Sequence, residues 1–206
     1  MFTGLIEAVG QVDALTPTPS GFRLRVRTAL ARELKVSDSL AVNGVCLTVT
    51  TVDEDIFQAD IGPETARVTT LGILTVNQPV NLERSMRADD RFGGHFVLGH
   101  VDGTGTVDEV RPESDAHWLT IGYPPALAPL LISKGSVCVD GISLTVAALR
   151  DRRFDVMIIP FTWAHTNLLS LRVGDRVNLE GDVLGKYVAR AAELYEKGRL
   201  KAAPTT

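Results

Sequence analysis

Residues 22–29 read FRLRVRTA, apolar and polar side chains alternating at each step, the pattern of a strand with one buried face. HWLTIGY at 117–123 reads as a second strand of this kind. LAVNGVCLTVTTV at 40–52 and SVCVDGISLTVAAL at 136–149 are denser runs of Val, Leu, Ile and Thr. Each is broken by a tight-turn dipeptide, Asn43-Gly44 or Asp140-Gly141, and each therefore predicts a hairpin. Short strands with turn signals every ~8–12 residues point to a small barrel or sandwich. A short helix is expected over 63–71, with Pro63 near its start. From Leu184 the pattern changes: Leu184, Val188, Ala191, Ala192 and Tyr195 form one helical stripe, and Gly198 is placed to end it.

The strand patterns occur twice. Sliding 39–83 onto 136–180 at an offset of 97 gives 18 identities in 45 positions without a gap, including VNGVCLTV against VDGISLTV and PVNLE against RVNLE. Phe57 meets Phe154, Pro63 meets Pro160, and Thr65 meets Thr162. A weaker echo joins 2–15 to 97–110 at an offset of 95. A repeat this long is a duplicated domain; solenoid units repeat at ~20–50 residues. The terminal helix lies outside the repeat, so it either packs on its own domain or forms a seam between subunits.

Composition narrows the partners. The formal net charge is -4, with no basic stripe of the kind that grips nucleic acid. No apolar run approaches the ~20 residues of a membrane span. The opening MFTGLIEAVG has neither the basic nor the apolar region of a secretory signal, so a cytoplasmic location is expected. Cys46 and Cys138, with no CxxC spacing, are expected to be thiols.

Cofactor motifs are lacking. Gly103 and Gly105 have no third glycine in register, and tandem strands are the wrong setting for a dinucleotide fold. His95 and His100 are five apart, not a helical metal pair, and Gly141-Ile-Ser143 lacks the last glycine of a nucleophile elbow because Thr145 stands there. No metal and no cofactor are expected. The candidates for chemistry are polar residues within apolar motifs. GGHFVLGHVDG at 93–103 carries two histidines, the side chains best able to exchange a proton near neutral pH, or simply to satisfy loop hydrogen bonds. Cys46 reads as a small buried hydrophobe or as a reactive group; its repeat counterpart is Ser143, so both copies put a thiol or hydroxyl at one point of one strand. Cys138 faces Ala41 in the alignment and reads as packing. Thr48 and Thr145 also align, as β-branched strand residues do. Asn81 and Asn178, each within V-N-L-E, are expected to have a structural turn role.

MFTGLIE, NGVCLTV, NLERS, GGHFVLGHVDG, KGSVCVDGISLTV and the terminal helix, in that order over about 1–195, resemble the riboflavin synthase family. The resemblance implies an all-β chain of two tandem six-stranded Greek-key β-barrels, 1–88 and 89–183, followed by a C-terminal trimerisation helix and tail over 184–206. It implies a homotrimer whose active sites form between the N-terminal barrel of one subunit and the C-terminal barrel of another. Carried over residue by residue, the substrate contacts of the N-terminal barrel fall on Gly4, Leu5, Ile6, Ser39, Val45, Cys46, Leu47, Asp60, Ile61, Gly62, Pro63, Glu64 and Thr65. Those of the C-terminal barrel fall on Gly99, His100, Val101, Lys134, Ser143, Leu144, Thr145, Met157, Ile158, Ile159, Pro160, Phe161 and Thr162, with Phe2 and Asp182 nearby. The repeats differ at Glu64 and Phe161, so the two barrels are not expected to grip a ligand identically.

The activity implied is the dismutation of two molecules of 6,7-dimethyl-8-ribityllumazine, one giving a four-carbon unit to the other. Such an enzyme must stack two flat rings, remove a proton from the C7 methyl of the donor, and activate C7 of the acceptor. The expected catalytic set is His100 for the proton, Ser143 and Thr145 to position or relay, and Cys46 to attack the acceptor or hold a water there. A hydride-transfer route stays open, as does docking onto lumazine synthase. The rival expectations are a non-catalytic lumazine-binding fluorescent protein and a flavin-binding barrel of the flavodoxin-reductase type.

Overall fold

The computed structural model describes residues 1–197; the expected stop at Gly198 lies outside them. Strands β1 (Ala8–Thr18), β2 (Gly21–Arg27), β3 (Ser39–Val42), β4 (Val45–Asp53), β5 (Ile56–Ile61) and β6 (Pro79–Arg84) close into one antiparallel barrel in the order β1-β2-β5-β4-β3-β6. Strands β7 (Gly103–Glu113), β8 (Ala116–Gly122), β9 (Ser136–Val139), β10 (Ile142–Arg150), β11 (Arg153–Ile158) and β12 (Arg176–Gly181) close a second barrel in the equivalent order. The expected all-β double barrel is therefore present.

Alternation builds each barrel. Leu24 and Val26 of β2 point inward and are fully buried, while Arg23 and Arg27 point out. Phe57 and Phe154 fill the equivalent place in the two cores; truncating a buried Phe to Ala costs ~3–5 kcal/mol. Each barrel bends through register shifts at matching points, Val49/Thr51 in β4 and Val146/Ala148 in β10, as closure of a small barrel requires. The two repeat offsets also acquire a cause. Strands β1 and β2 map onto β7 and β8 at 95, β3 maps onto β9 at 97, and the two extra residues lie in the segment between β8 and β9.

Two local expectations need correction. The strand expected over 22–29, β2, ends at Arg27, because Thr28 caps a following 3-10 turn by accepting from Leu30 N. The helix expected over 63–71 is two pieces: α1 (Pro63–Val68) and a 3-10 turn over Thr70–Ile73, separated by extended Thr69, whose hydroxyl accepts from Leu71 N. A matching α2 (Pro160–Ala164) follows β11. The last helix, α3, spans Val183–Glu196, and both readings of its stripe stay open: Leu184 and Val188 line a groove with Leu130 and Ile132, while Leu184, Val188 and Tyr195 are 59%, 69% and 62% exposed. No described helix is long and apolar enough to cross a membrane.

Asn81 and Asn178 are not turn residues. They lie within β6 and β12, fully buried, in a polar network between the barrels. The two hairpin turns meet here, each with a left-handed pair (Asn43 φ 45 and Gly44 φ 74; Asp140 φ 45 and Gly141 φ 85). A Cβ on Gly44 would come within 2.6 Å of Gly141 N, so neither glycine can be replaced without parting the turns. Around them the repeats trade bonds. Asn81 Nδ2 donates to Asp140 O and Asn178 Nδ2 donates to Asn43 O. Asn81 N donates to Asn43 Oδ1, Asn178 N to Asp140 Oδ1, and Asn167 Nδ2 to Asp140 Oδ2.

Where the first repeat has neutral Asn43, the second has Asp140, and burial pushes its carboxyl up from 3.8 to about 7 despite the hydrogen bonds from Asn178 and Asn167. Between those values the folded chain holds a proton that the unfolded chain has released, so Asp140 subtracts stability as pH rises through that window. Asp140→Asn removes this titration. Thermal unfolding from pH 4 to 8 should therefore show a flatter dependence in the variant, with the gap between the two proteins changing by up to about 4 kcal/mol across the window. Parallel curves would show that Asp140 stays ionised when folded.

Candidate active site

The candidate residues cluster where the chain crosses between barrels. Residues 2–6 precede β1 but lie against the second barrel: Ser143 N donates to Gly4 O at 2.8 Å, and Ile6 packs against the second core. Residues 97–101 precede β7 but lie against the first: Cys46 N donates to Gly99 O at 3.0 Å, and Val101 packs against the first core. The crossing segments pair with each other through Phe2 and Val97. The resemblance grouped Gly4, Leu5 and Ile6 with the N-terminal barrel and Gly99, His100 and Val101 with the C-terminal one. Within one chain Gly4 and Ile6 instead lie against the second barrel, beside Ser143, and Gly99 and Val101 against the first, beside Cys46.

Two buried carboxylates hold the crossing. Glu83 of β6 accepts from the N–H groups of Thr3 (2.6 Å) and Gly4 (3.0 Å), and from the Thr3 hydroxyl. Glu180 of β12 accepts from Leu98 N (2.7 Å) and Gly99 N (3.0 Å). Burial raises the pKa of both carboxyls, and these backbone donors oppose the rise. The segments come so close that a Cβ on Gly4 would be 2.6 Å from Ser143 Cβ, and one on Gly99 would be 2.5 Å from Cys46 Cβ. Phe2 is wholly enclosed between the barrels with Ala41, Val97 and Cys138, so within one chain it supports the crossing and faces no open site. Burial also drives the Cys138 thiol pKa well up, in keeping with a packing role.

The second barrel carries an open cavity of ≈ 470 Å³. Lys134, Ser143, Leu144, Thr145, Met157, Ile158, Ile159 and Thr162 line it, with Trp118 and Ala147. The wall alternates: Ser143 and Thr145 face outward along β10, while Val146 turns into the core. Phe161, 68% exposed, stacks on His165 at 4.1 Å, and Pro160 starts α2 beside it. Asp182 caps α3 and lines a neighbouring apolar groove of ≈ 450 Å³ with Lys134, Leu184 and Val188.

The matching face of the first barrel is more polar. Ser39 and Cys46 are half-buried, and Val45, Leu47 and Ile61 turn inward as core side chains. Asp60 is paired with Arg23 at 2.8 Å, which holds its carboxyl below the usual range. Glu64 of α1 is paired with Arg67, and exposed Gly62 and Pro63 and half-buried Thr65 complete this edge. Where one rim offers charged pairs, the other offers Met157 and Phe161.

Within one chain the expected catalytic set is divided. Cys46 and the His100 segment lie on one side of the Phe2–Val97 bridge, and Ser143 and Thr145 on the other. The histidine that touches Ser143 is His95: its Nδ1 is 2.6 Å from Ser143 Oγ, its side chain is buried, and its Nε2 has no hydrogen-bond partner among the described residues. Burial lowers its pKa, and the nearby Asp182 charge opposes this in part. Sequence spacing had no means of choosing between the two histidines; the pairing arises only because residues 2–6 and 94–97 fold over the second barrel. Among the described residues no cluster of three or more His, Cys, Asp or Glu is arranged to hold a metal ion.

Comparison with known proteins agrees with this duplicated architecture. The lumazine binding domain family matches twice, over residues 3–85 and 98–182. The chain is 46% identical to the riboflavin synthase of Actinobacillus pleuropneumoniae, over 91% of this chain and 88% of that protein. It is 40% identical to those of Bacillus subtilis (92% and 89%) and Brucella abortus (96% and 100%). Among solved structures it resembles LumP complexed with 6,7-dimethyl-8-(1'-D-ribityl) lumazine, with a TM-score of 0.80 and 25% identity over 87% of this chain and 98% of that one.

The environment of His95 makes a measurable claim. Its imidazole should titrate below the ordinary histidine value of about 6.5, as read from ring resonances in an NMR pH series. Asp182→Asn should move it lower still, since that charge is what favours the imidazolium. A titration at or above the ordinary value would mean that the ring is not desolvated.

Proposed function

We propose that this chain, which belongs to the riboflavin synthase family of lumazine-binding double barrels, converts two molecules of 6,7-dimethyl-8-ribityllumazine into riboflavin and 5-amino-6-ribitylamino-2,4(1H,3H)-pyrimidinedione. The observation that carries this reading is the pair of equivalent but chemically different sites, one built around Cys46 and the other around Ser143. A dismutation needs that arrangement, because two identical molecules must play different parts.

The four-carbon unit leaves the donor ring and closes onto the acceptor, so one ring system gains what the other loses and no outside oxidant or reductant is needed. The chain's contribution is to orient the rings, exclude water and move protons. Ser143, in hydrogen-bond contact with the neutral His95 ring, is suited to taking up or passing on the proton of the C7 methyl. The exposed His100 and half-buried Cys46 serve the opposite ring, Cys46 by attacking C7 of the acceptor or by holding a water against it.

The active site is completed by a second copy. The Cys46–His100 face of one subunit meets the Ser143–Thr145 face of the next, a heterologous contact that closes on itself as a ring. The exposed stripe of α3, with Leu184, Val188 and Tyr195, gives the homotrimer its seam. This arrangement reunites His100 with Ser143 and Thr145, which one chain holds apart.

The purified chain, incubated with the lumazine and no added cofactor, should form one riboflavin per two lumazines, with or without a chelator. Tight lumazine binding without riboflavin would identify a binding protein of the LumP kind. A mixing experiment tests the shared site. His100→Gln and Ser143→Ala should each be nearly inactive alone. Assemblies reformed from an equal mixture should recover up to about a quarter of the wild-type rate, because some sites then combine the intact face of each variant. No recovery on mixing would place both residues in a site within one chain.

A further inference from the structure

The two repeats fasten their crossing segments with a carboxylate, but they draw the neutralising cation from different places. In the first repeat Glu7 accepts from Arg84 N at 2.8 Å, and the guanidinium of the same Arg84 pairs with it at 2.6 Å. In the second repeat Asp102 stands where Glu7 stood, and it accepts from Gly181 N at 2.8 Å, the bond equivalent to that of Arg84 N. Gly181 has no side chain to bring a charge. A Cβ there would meet Leu130 Cβ at 2.7 Å, so no arginine fits. The cation comes instead from outside the repeat: Lys186, in the first turns of α3, reaches Asp102 Oδ1 at 2.7 Å. The same Nζ donates to the carbonyl of His100 at 3.4 Å. Both ends of the pair are shielded, with Lys186 and Asp102 side chains 24% and 22% exposed.

We propose that Lys186 is a positioning residue for the His100 segment, by which the C-terminal helix completes the fastening that Arg84 supplies in the first repeat. Residues 98–102 are then held along their length, with Asp102 tied to β12 through Leu179 O and Gly181 N. Glu180 takes the N–H groups of Leu98 and Gly99, Cys46 N binds Gly99 O, and Lys186 binds His100 O and Asp102. Lys186 is the hold on the His100 carbonyl. Without it Asp102 N still bonds Leu179 O and Gly181 N still bonds Asp102, but the backbone that carries the imidazole loses its restraint midway between Gly99 and Asp102. The helix that carries the exposed seam is thereby linked directly to a residue assigned to catalysis. The catalytic part of this inference rests on the proposed function; the structural part does not.

The test uses the full chain with Lys186→Met, Lys186→Arg, Asp102→Asn, and the double variant Lys186→Met with Asp102→Asn. Hydrogen exchange reads the fastening independently of activity. In Lys186→Met, the amides of Gly181 and Cys46 should exchange about tenfold faster or more, and Lys186→Arg should restore them. Riboflavin formation should fall on the order of tenfold in kcat with KM within about twofold, and Lys186→Arg should recover most of it. The double variant should be no slower than Asp102→Asn alone, because both changes break one unit. Unchanged exchange at Gly181 and Cys46 would overturn the proposal, as would a loss of kcat that follows dissociation of the assembly or that arginine fails to rescue. If the wild-type chain forms no riboflavin while exchange responds as stated, the fastening stands and the proposed function fails.

Discussion

Two carboxylates, Glu83 and Glu180, keep the chain's crossing segments in place, and the remaining architecture follows from that. Each takes two consecutive backbone N–H groups of a segment that has left its own barrel to lie on the other. A buried carboxylate is costly unless its oxygens are satisfied, and a buried extended segment is costly unless its amides are. Here each requirement meets the other. Once Gly4 is held against Ser143 and Gly99 against Cys46, the barrels cannot separate without exposing Phe2 and Val97, both fully buried. The asparagine network around Gly44 and Gly141 fixes the same junction on the hairpin side.

Duplication gave two faces of one design, and divergence made them unlike. Cys46 became the counterpart of Ser143, a charged pair of Asp60 with Arg23 the counterpart of Met157, and Glu64 the counterpart of Phe161. The backbone frame changes little between them: the same strand order, the same register shifts and the same left-handed turn pairs recur. A dismutation makes use of such a frame. On the proposed function, the shared backbone orients identical ligands alike and the side chains that differ treat them differently. The departures from repeat symmetry are therefore the informative positions, Asp140 against Asn43 and Lys186 in place of Arg84 among them.

Much was written in the sequence because it is local. Period-two alternation in FRLRVRTA determines which face of β2 is buried, and Asn-Gly and Asp-Gly determine the turns, because few other dipeptides tolerate two left-handed residues in succession. The 97-residue repeat determined that whatever one half formed, the other would form too. The motifs that carry the family resemblance singled out Cys46 and Ser143 at equivalent points of β4 and β10. The stripe from Leu184 to Tyr195 set a helix, since its spacing fits no strand.

What the tertiary structure alone decided is long-range pairing. Nothing in the spacing of Gly4 and Ser143, or of Gly99 and Cys46, says that the segments exchange barrels; that depends on two carboxylates about 80 residues away from the amides they bind. The choice of His95 over His100 as the partner of Ser143 and the burial of Asn81 and Asn178 are consequences of that exchange or of the packing around it. Local pattern specifies which faces are apolar and where the chain turns. Which of two nearly identical barrels a given segment lies on is decided by the few buried polar groups that must find partners, and these become identifiable only once the chain is folded.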